Sequence, residues 1–164
     1  MMIKIRHLVW LLLVPLLSAC GFQIQSSAEL PPQMQQTELE IQLPYSEFAR
    51  RLEIHLEQNG VHVVENEDDA ALLEVPQNRV RREIQSIGDN ARVREYMLRH
   101  IVQFRLLDST GKELIPLQTL EQSRVYSFDQ QDILSKERED EFLRDDLSDS
   151  LARMVIRRLG TYGK

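Results

Sequence analysis

Two long extended segments on either side of a turn restrict the fold more than any other feature of this sequence. Residues 72–87 and 92–108 both have the pattern of extended strands, and the turn-forming triplet Gly88-Asp89-Asn90 separates them. Apolar side chains of the second segment share one parity: Tyr96, Leu98, Val102, Phe104 and Leu106. Met97, Ile101 and Phe104 also fit a helical spacing, but we favour the strand. The two segments together predict an antiparallel hairpin.

The residues before the hairpin predict a strand and a helix. Leu39, Ile41 and Leu43 alternate with polar residues, which predicts a strand with one buried face that ends at Pro44. The following apolar residues recur at three- and four-residue spacing: Tyr45, Phe48, Leu52 and Leu56. This spacing predicts a helix closed by Gly60 at its carboxyl end.

Three further elements are predicted outside the hairpin. Residues 61–64 indicate a short strand, and the turn at 108–112 precedes another alternating run that ends at Phe128. Residues 129–159 contain no proline or glycine and predict a long amphipathic helix. Its apolar stripe is expected to pack against the sheet: Phe142, Leu143, Leu147, Leu151, Met154, Val155 and Leu159.

These elements predict an α+β fold, a two-layer α/β sandwich. Two helices pack on one face of a mixed, mostly antiparallel sheet of about four strands. The other face of the sheet is expected to stay open, as a candidate surface for a partner protein or an apolar ligand.

The first twenty residues have the features of a lipoprotein signal. Lys4 and Arg6 precede the apolar run 8–17, which is shorter than a membrane-spanning helix and contains Pro15. The run Leu17-Ser18-Ala19-Cys20 looks like the bacterial lipobox, in which a peptidase cuts before a cysteine that carries S-diacylglycerol and is then N-acylated. The alternative is an ordinary signal peptide that ends beside a cysteine.

This signal sets the expected domain organisation. Residues 1–19 form a cleaved signal peptide, 20–36 a lipidated tether, 37–160 a single α/β domain and 161–164 a short tail. Cys20 is the only cysteine and therefore has no disulfide partner. In lipoproteins of this type, Gly21 rather than Asp after the cysteine favours sorting to the outer membrane.

Charge and motifs argue against several functions. Loss of Lys4 and Arg6 with the signal leaves 18 basic and 26 acidic side chains, a net charge of -8, so binding to nucleic acid is not expected. The histidines are dispersed, and no phosphate loop or nucleophile motif occurs, so we expect no metal, no cofactor beyond the acyl groups, and no enzyme activity. The carboxylates of the last helix have the spacing of a solvated face: Glu137, Glu139, Asp140, Glu141, Asp145, Asp146 and Asp149.

Arginines are concentrated on the predicted hairpin. One arm carries Arg79, Arg81 and Arg82, and the other carries Arg92, Arg94 and Arg99, so a reversal near Asp89 brings the two groups opposite each other. Converging guanidinium groups form a receptor for phosphate or carboxylate. The alternative is that each arginine is solvated or neutralised by a neighbouring glutamate. Lys136 adds a cation near the start of the last helix.

The order of these motifs resembles the LPS-assembly lipoprotein family, LptE. Six segments carry the resemblance: Leu17-Ser18-Ala19-Cys20-Gly21-Phe22, Leu30-Pro31-Pro32-Gln33-Met34, Leu56-Glu57-Gln58-Asn59-Gly60-Val61, Arg94-Glu95-Tyr96, Ile133-Leu134-Ser135-Lys136-Glu137 and Ile156-Arg157-Arg158-Leu159. Together they cover nearly the whole chain.

The resemblance implies a specific function. A member of this family plugs and helps to assemble an outer-membrane β-barrel, LptD, and binds lipopolysaccharide during its insertion at the cell surface. The protein is then anchored in the outer membrane by lipid on Cys20, faces the periplasm, and lies within the barrel lumen. Lys136 matches a lysine that the family uses for lipopolysaccharide, and Arg92 and Arg94 fall near the family's basic loop, with Arg82 on the facing arm. The rival hypothesis is a structural lipoprotein of another envelope complex, without a lipid ligand of its own.

Overall fold

The computed structural model describes residues 29–89, 91–129 and 133–162. The predicted signal peptide, Cys20 and most of the predicted tether lie outside these ranges. The elements, in chain order, are β1 (Gln36–Ile41), α1 (Glu47–Gln58), β2 (His62–Val64), β3 (Ala71–Ile87), β4 (Val93–Leu107), β5 (Glu113–Ser127) and α2 (Ile133–Tyr162).

The strands form one mixed sheet in the order β2-β1-β3-β4-β5. β1 pairs in parallel with both β2 and β3, while β3, β4 and β5 form an antiparallel meander. The predicted hairpin is confirmed, because β3 and β4 pair from Leu72–Leu107 to Ile87–Val93. The helical alternative suggested by Met97, Ile101 and Phe104 is wrong, because all three lie in β4. The predicted fold class is confirmed, with five strands in place of about four.

Both helices cover one face of the sheet and supply its core. α2 packs on α1, β4 and β5. Apart from Ala152, its fully buried side chains recur every four residues: Leu147, Leu151, Val155 and Leu159. The even-numbered side chains of β4 face this layer, so the odd-numbered ones lie on the opposite face. There, Arg99 pairs with Glu121 at 2.7 Å and Arg105 pairs with Glu74 at 2.5 Å across neighbouring strands.

Two residues predicted on the buried helix stripes are exposed. Ser46 caps α1, because its Oγ accepts a hydrogen bond from the Ala49 N–H at 3.2 Å, so Tyr45 precedes the helix and is fully exposed. Phe142 is 69% exposed, because it lies about 100° around α2 from the buried row that begins at Leu143. The predicted end of α1 is confirmed by Gly60, whose φ of 83° is the left-handed conformation of a helix-terminating glycine.

The folded region extends beyond the expected boundaries at residues 37 and 160. A 3-10 turn at Pro32–Met34 precedes β1, and Met34 is fully buried. Its carbonyl accepts a hydrogen bond from Thr37 Oγ1 at 2.8 Å, which fixes the turn to the first strand. The last helix, expected from about Asp129 to Leu159, is described from Ile133 to Tyr162 and so continues past residue 160.

His100 lies in β4 beneath α1 and is 1% exposed. Its Nε2 lies 2.8 Å from Asn78 Oδ1, which can only accept, so Nε2 carries the proton. Asn78 Nδ2 donates to Ser46 Oγ at 2.9 Å, and this contact links the sheet to the start of α1. His100 Nδ1 has no hydrogen-bond partner among the described residues, so protonation there places an unpaired N–H in the core.

We expect acid to destabilise the fold through His100. Burial, with a smaller contribution from the charge of Arg144, lowers the pKa of His100 from 6.5 to about 4. The unfolded chain therefore takes up this proton at higher pH than the folded chain, and the free energy of unfolding falls as the pH drops from 6.5 towards 4. The expected loss is about 3 kcal/mol between pH 7 and pH 4. Urea denaturation of the chain and of His100→Gln at both pH values measures it, and equal losses in the two proteins would contradict the assignment.

Candidate functional site

A pocket at the turn end of the β3–β4 hairpin brings two of the predicted cations together. It has a volume of about 290 Å³ and lies between the sheet and the first turns of α2. We call it the hairpin pocket; its lining residues are Arg82, Tyr96, Tyr126, Phe128, Lys136, Glu137 and Asp140.

Three aromatic rings form one wall of the hairpin pocket. Tyr96 and Tyr126 are directly paired across β4 and β5, with ring centroids 5.9 Å apart. Phe128 follows the end of β5, where its N–H donates to the Arg94 carbonyl at 2.8 Å, and its ring meets Tyr96 edge-on at 5.1 Å. Arg82 projects from β3 over this wall, with its Cζ 4.8 Å from the centre of the Tyr96 ring.

Asp140 organises the polar side of the hairpin pocket. Tyr126 donates to its Oδ1 at 2.6 Å, and Arg144 donates to its Oδ2 at 2.5 Å. Arg82 Nη1 lies 4.0 Å from Oδ1. Burial acts to raise the pKa of Asp140, but the hydrogen bonds from Arg144 and Tyr126 outweigh it and the pKa lies below its ordinary value. The carboxylate therefore stays charged and holds Arg82 and Tyr126 in place.

Lys136 is also held in position. Its Nζ donates to Glu139 Oε2 at 2.7 Å and to Ser127 Oγ at 3.3 Å, and its side chain is 19% exposed. An ammonium group has three N–H donors, so two of them are directed by the protein and one remains for a ligand. Burial of the ring, and then the hydrogen bond from Tyr126 to Asp140, raise the pKa of Tyr126, so the phenol stays neutral beside these cations.

Arg92 and Arg94 do not line the hairpin pocket. Arg94 lies two residues before Tyr96 on β4, hence on the same face, and is exposed. Arg92 is exposed in the turn, where its carbonyl accepts from the Gly88 N–H at 2.8 Å. The expectation that arginines oppose each other across the hairpin is met by Arg81 and Arg99, but these lie on the face opposite the helices.

The carboxylates of α2 are more than the solvated face that their spacing predicts. Asp145 accepts two hydrogen bonds from Arg51 Nη2, the shorter at 2.8 Å, and Asp149 Oδ1 lies 2.8 Å from His55 Nε2. These contacts join α2 to α1. Asp146 pairs with Arg124 of β5 at 3.0 Å. A pattern read along one helix does not reveal the basic partners that the fold brings to it.

Two further structural findings concern metal binding and membrane crossing. Within residues 29–89, 91–129 and 133–162, no group of three or more histidine, cysteine or acidic side chains is arranged to hold a metal ion. Of the helices in those ranges, neither has an apolar stretch of the length needed to cross a membrane.

The chain is similar over most of its length to lipopolysaccharide-assembly proteins. The model of the LptE family, described as lipopolysaccharide-assembly, matches residues 35–159. The LPS-assembly lipoprotein LptE of Yersinia pestis (strain Pestoides F) is 30% identical over 165 residues, with 95% of this chain and 77% of the relative covered. The LPS-assembly lipoprotein LptE of Yersinia pseudotuberculosis (serotype O:1b, strain IP 31758) has the same identity and coverage.

Solved structures of lipoproteins share the fold. A minor lipoprotein from Acinetobacter baumannii has a TM-score of 0.67 and 25% identity, with 78% of this chain and 92% of that chain covered. A lipoprotein B from Nitrosomonas europaea has a TM-score of 0.72 and 23% identity, with 87% and 92% covered, and shows the fold alone. Because the family model spans the fold from β1 into the last turns of α2, the chain belongs to the LptE family of lipopolysaccharide-assembly proteins.

Proposed function

We propose that this chain is an outer-membrane lipoprotein that binds lipopolysaccharide through the hairpin pocket, and that plugs and helps to assemble a β-barrel of the LptD type. Membership of the LptE family supports a role in lipopolysaccharide assembly. The barrel partner, the position within its lumen and the acyl anchor on Cys20 follow from the family resemblance and belong to the proposal. No bond is made or broken in this function.

The observation that carries the ligand assignment is the pairing of cations with aromatic rings in one pocket. Lipopolysaccharide presents phosphates on a sugar backbone. Arg82 and Lys136 supply charged donors for a phosphate, and charge-assisted hydrogen bonds are the stronger kind. The wall of Tyr96, Tyr126 and Phe128 offers flat apolar surface with a polar hydroxyl at its edge, which suits a sugar ring.

Arg92 and Arg94 complete the proposed binding surface from outside the pocket. Both are exposed at the turn end of the hairpin, and Arg94 shares the face of Tyr96. We assign them to a second phosphate or to the first encounter with an anionic glycolipid, because exposed cations accelerate association more than they add affinity. Cys20 carries the anchor, and the several acyl chains expected on it give stable attachment where one chain gives only marginal binding.

Purification of the tagged full-length chain from detergent-extracted membranes tests the proposal. We expect a large outer-membrane β-barrel to co-purify in a roughly one-to-one ratio and lipopolysaccharide to be present in the eluate. Mass spectrometry of the same sample is expected to find an acylated Cys20 at the amino terminus. Recovery of other envelope proteins with neither barrel nor lipopolysaccharide would favour the rival hypothesis of a structural lipoprotein without a lipid ligand.

A further inference from the structure

The first strand extends past its neighbour at one edge of the sheet. β1 runs to Ile41, but its pairing with β2 ends at Glu38–Val64. Asn66 follows β2 with a φ of 55°, a left-handed conformation that interrupts the extended backbone of the strand. Residues 39–41 of β1 therefore lie beside a gap in the line of β2.

The backbone groups at this gap point outward. The N–H of Gln42 donates to the Val75 carbonyl on β3 at 3.1 Å, so residue 42 is directed inward. Successive residues of a strand direct their N–H and C=O groups to alternate sides, which places those of Ile41 on the outer side. The bond from the His62 N–H to the Gln35 carbonyl, at 2.8 Å, confirms that odd-numbered residues of this segment face β2. Ile41 is in register with Val75 of β3 on its inner side, but on its outer side, past Val64, no described strand pairs with it.

A groove of about 500 Å³ runs along this gap, and we call it the edge groove. Ala49 of α1 contributes to its apolar lining, and the rest comes from the end of β1, the end of β2 and the segment before α1: Leu39, Ile41, Pro44, Tyr45, Val63 and Val64. Tyr45 is fully exposed, although an aromatic side chain is usually part of a buried surface. The edge groove thus combines an unpaired strand edge with an apolar floor, which is the arrangement that binds an added strand.

The charged groups that line the edge groove are all acidic. Glu38 comes from β1, Glu53 comes from α1, and Glu65 directly follows β2; no basic residue is among the described residues that line it. Acidic side chains along an edge repel a second copy of the same strand, because β1 itself carries Glu38 and Glu40. The same charges attract an extended segment of opposite sign.

We propose that the edge groove binds an extended segment of a partner protein in which apolar and basic residues alternate. The segment pairs with the outer side of β1 as an added strand, at the position that β2 would occupy if it continued past Val64. Its backbone pairs with Ile41, its apolar side chains enter the groove, and its basic side chains meet the three glutamates. This inference does not depend on the ligand of the hairpin pocket. That pocket is lined by residues of β3, β4 and β5, whereas the edge groove lies at β1 and β2, towards the other edge of the sheet.

A synthetic hexapeptide, acetyl-Lys-Val-Lys-Val-Lys-Val-amide with a fluorescent label, tests the proposal on the full-length chain in detergent. We expect saturable binding by fluorescence polarisation, with no binding of the matched peptide in which glutamate replaces each lysine. Amide hydrogen exchange is expected to slow at Ile41 and to stay unchanged at Gln42, whose N–H already donates to β3. Equal slowing at both amides, or none at Ile41, would overturn strand addition.

Charge reversal at the groove provides the second measurement. Glu53→Lys/Glu65→Lys is expected to weaken binding of the lysine peptide at least about tenfold, because two attractive charge pairs with the peptide become repulsive. The control Glu57→Lys/Glu67→Lys changes two exposed glutamates of the neighbouring helix and loop that do not line the groove, with the same change in net charge. Equal weakening by both variants would overturn the proposal. Slow hydrogen exchange of the Ile41 amide in the absence of peptide would also overturn it, because the chain would then cover its own strand edge.

Discussion

Replacing both pocket cations, as Lys136→Gln/Arg82→Gln, is expected to weaken lipopolysaccharide capture by the full-length chain at least about a hundredfold. Each residue supplies a charged donor to a phosphate, and a hydrogen bond to a charged group contributes about 1.5–3 kcal/mol. Loss of two such contacts amounts to about 3–6 kcal/mol, and each 1.4 kcal/mol is a tenfold change in affinity. Binding of immobilised lipopolysaccharide at fixed ionic strength measures the effect, because screening changes any charge-based affinity.

A second pair of cations provides the matched control. Lys112→Gln/Arg79→Gln removes the same charge from exposed positions outside the hairpin pocket, Lys112 in the β4–β5 turn and Arg79 in β3. We expect this variant to retain capture within about threefold, and both variants to retain the barrel in detergent extracts. Arg92→Gln/Arg94→Gln is expected to fall between the two. Equal capture by the pocket variant and the control would remove the site assignment and leave the family assignment intact.

Phe48→Ala is expected to lower the free energy of unfolding by about 3–5 kcal/mol. Phe48 lies in the first turn of α1, is 1% exposed, and meets the His100 ring edge-on with centroids 5.8 Å apart. Truncation leaves a cavity between helix and sheet that the β4 backbone cannot close. Urea denaturation at pH 7 measures the loss.

Tyr45→Ala is the matched control for this core position. Tyr45 lies three residues earlier in the chain and is fully exposed, so we expect its truncation to change the free energy of unfolding by less than about 0.5 kcal/mol. The hydrophobic spacing of the sequence places both residues on one stripe. Similar losses for the two variants would therefore favour the sequence pattern over the Ser46 cap that the structure shows.

The hairpin and both helices could be predicted because their signals are local. The triplet Gly88-Asp89-Asn90 predicts the turn between β3 and β4. The recurrence of apolar residues every four positions from Leu143 to Leu159 predicts the buried side of α2. Phe142 could not be excluded from that stripe by spacing alone, since one step around a helix is about 100° and both positions are apolar. The order of the strands in the sheet could not be predicted from hydrophobic periodicity, because the parallel pairing of β1 with β3 joins residues that are far apart in the chain.

The hairpin pocket could be predicted only in part. Basic residues were conspicuous in an acidic chain, which singled out Arg82 and Lys136. The aromatic wall was missed because Tyr96 and Tyr126 come together through strand register, which the alternation of each strand does not specify. A reversal centred on Asp89 would place Arg79 opposite Arg99, whereas the observed register places Arg81 there. Asp140 was missed because its three partners come from different elements.

The length of β3 separates the two ends of the domain. Thr37, next to the point where the chain enters the fold, pairs with Ala71 at the start of β3, and the hairpin pocket lies near the opposite end of that 17-residue strand. At about 3.3 Å per residue, the strand spans about 50 Å. The hydrocarbon layer of a bilayer is about 30 Å thick. In the proposed lipid-anchored protein, the turn of the β3–β4 hairpin, with Arg92 and Arg94, therefore lies farther from the point where the chain enters the fold than the hydrocarbon layer is thick.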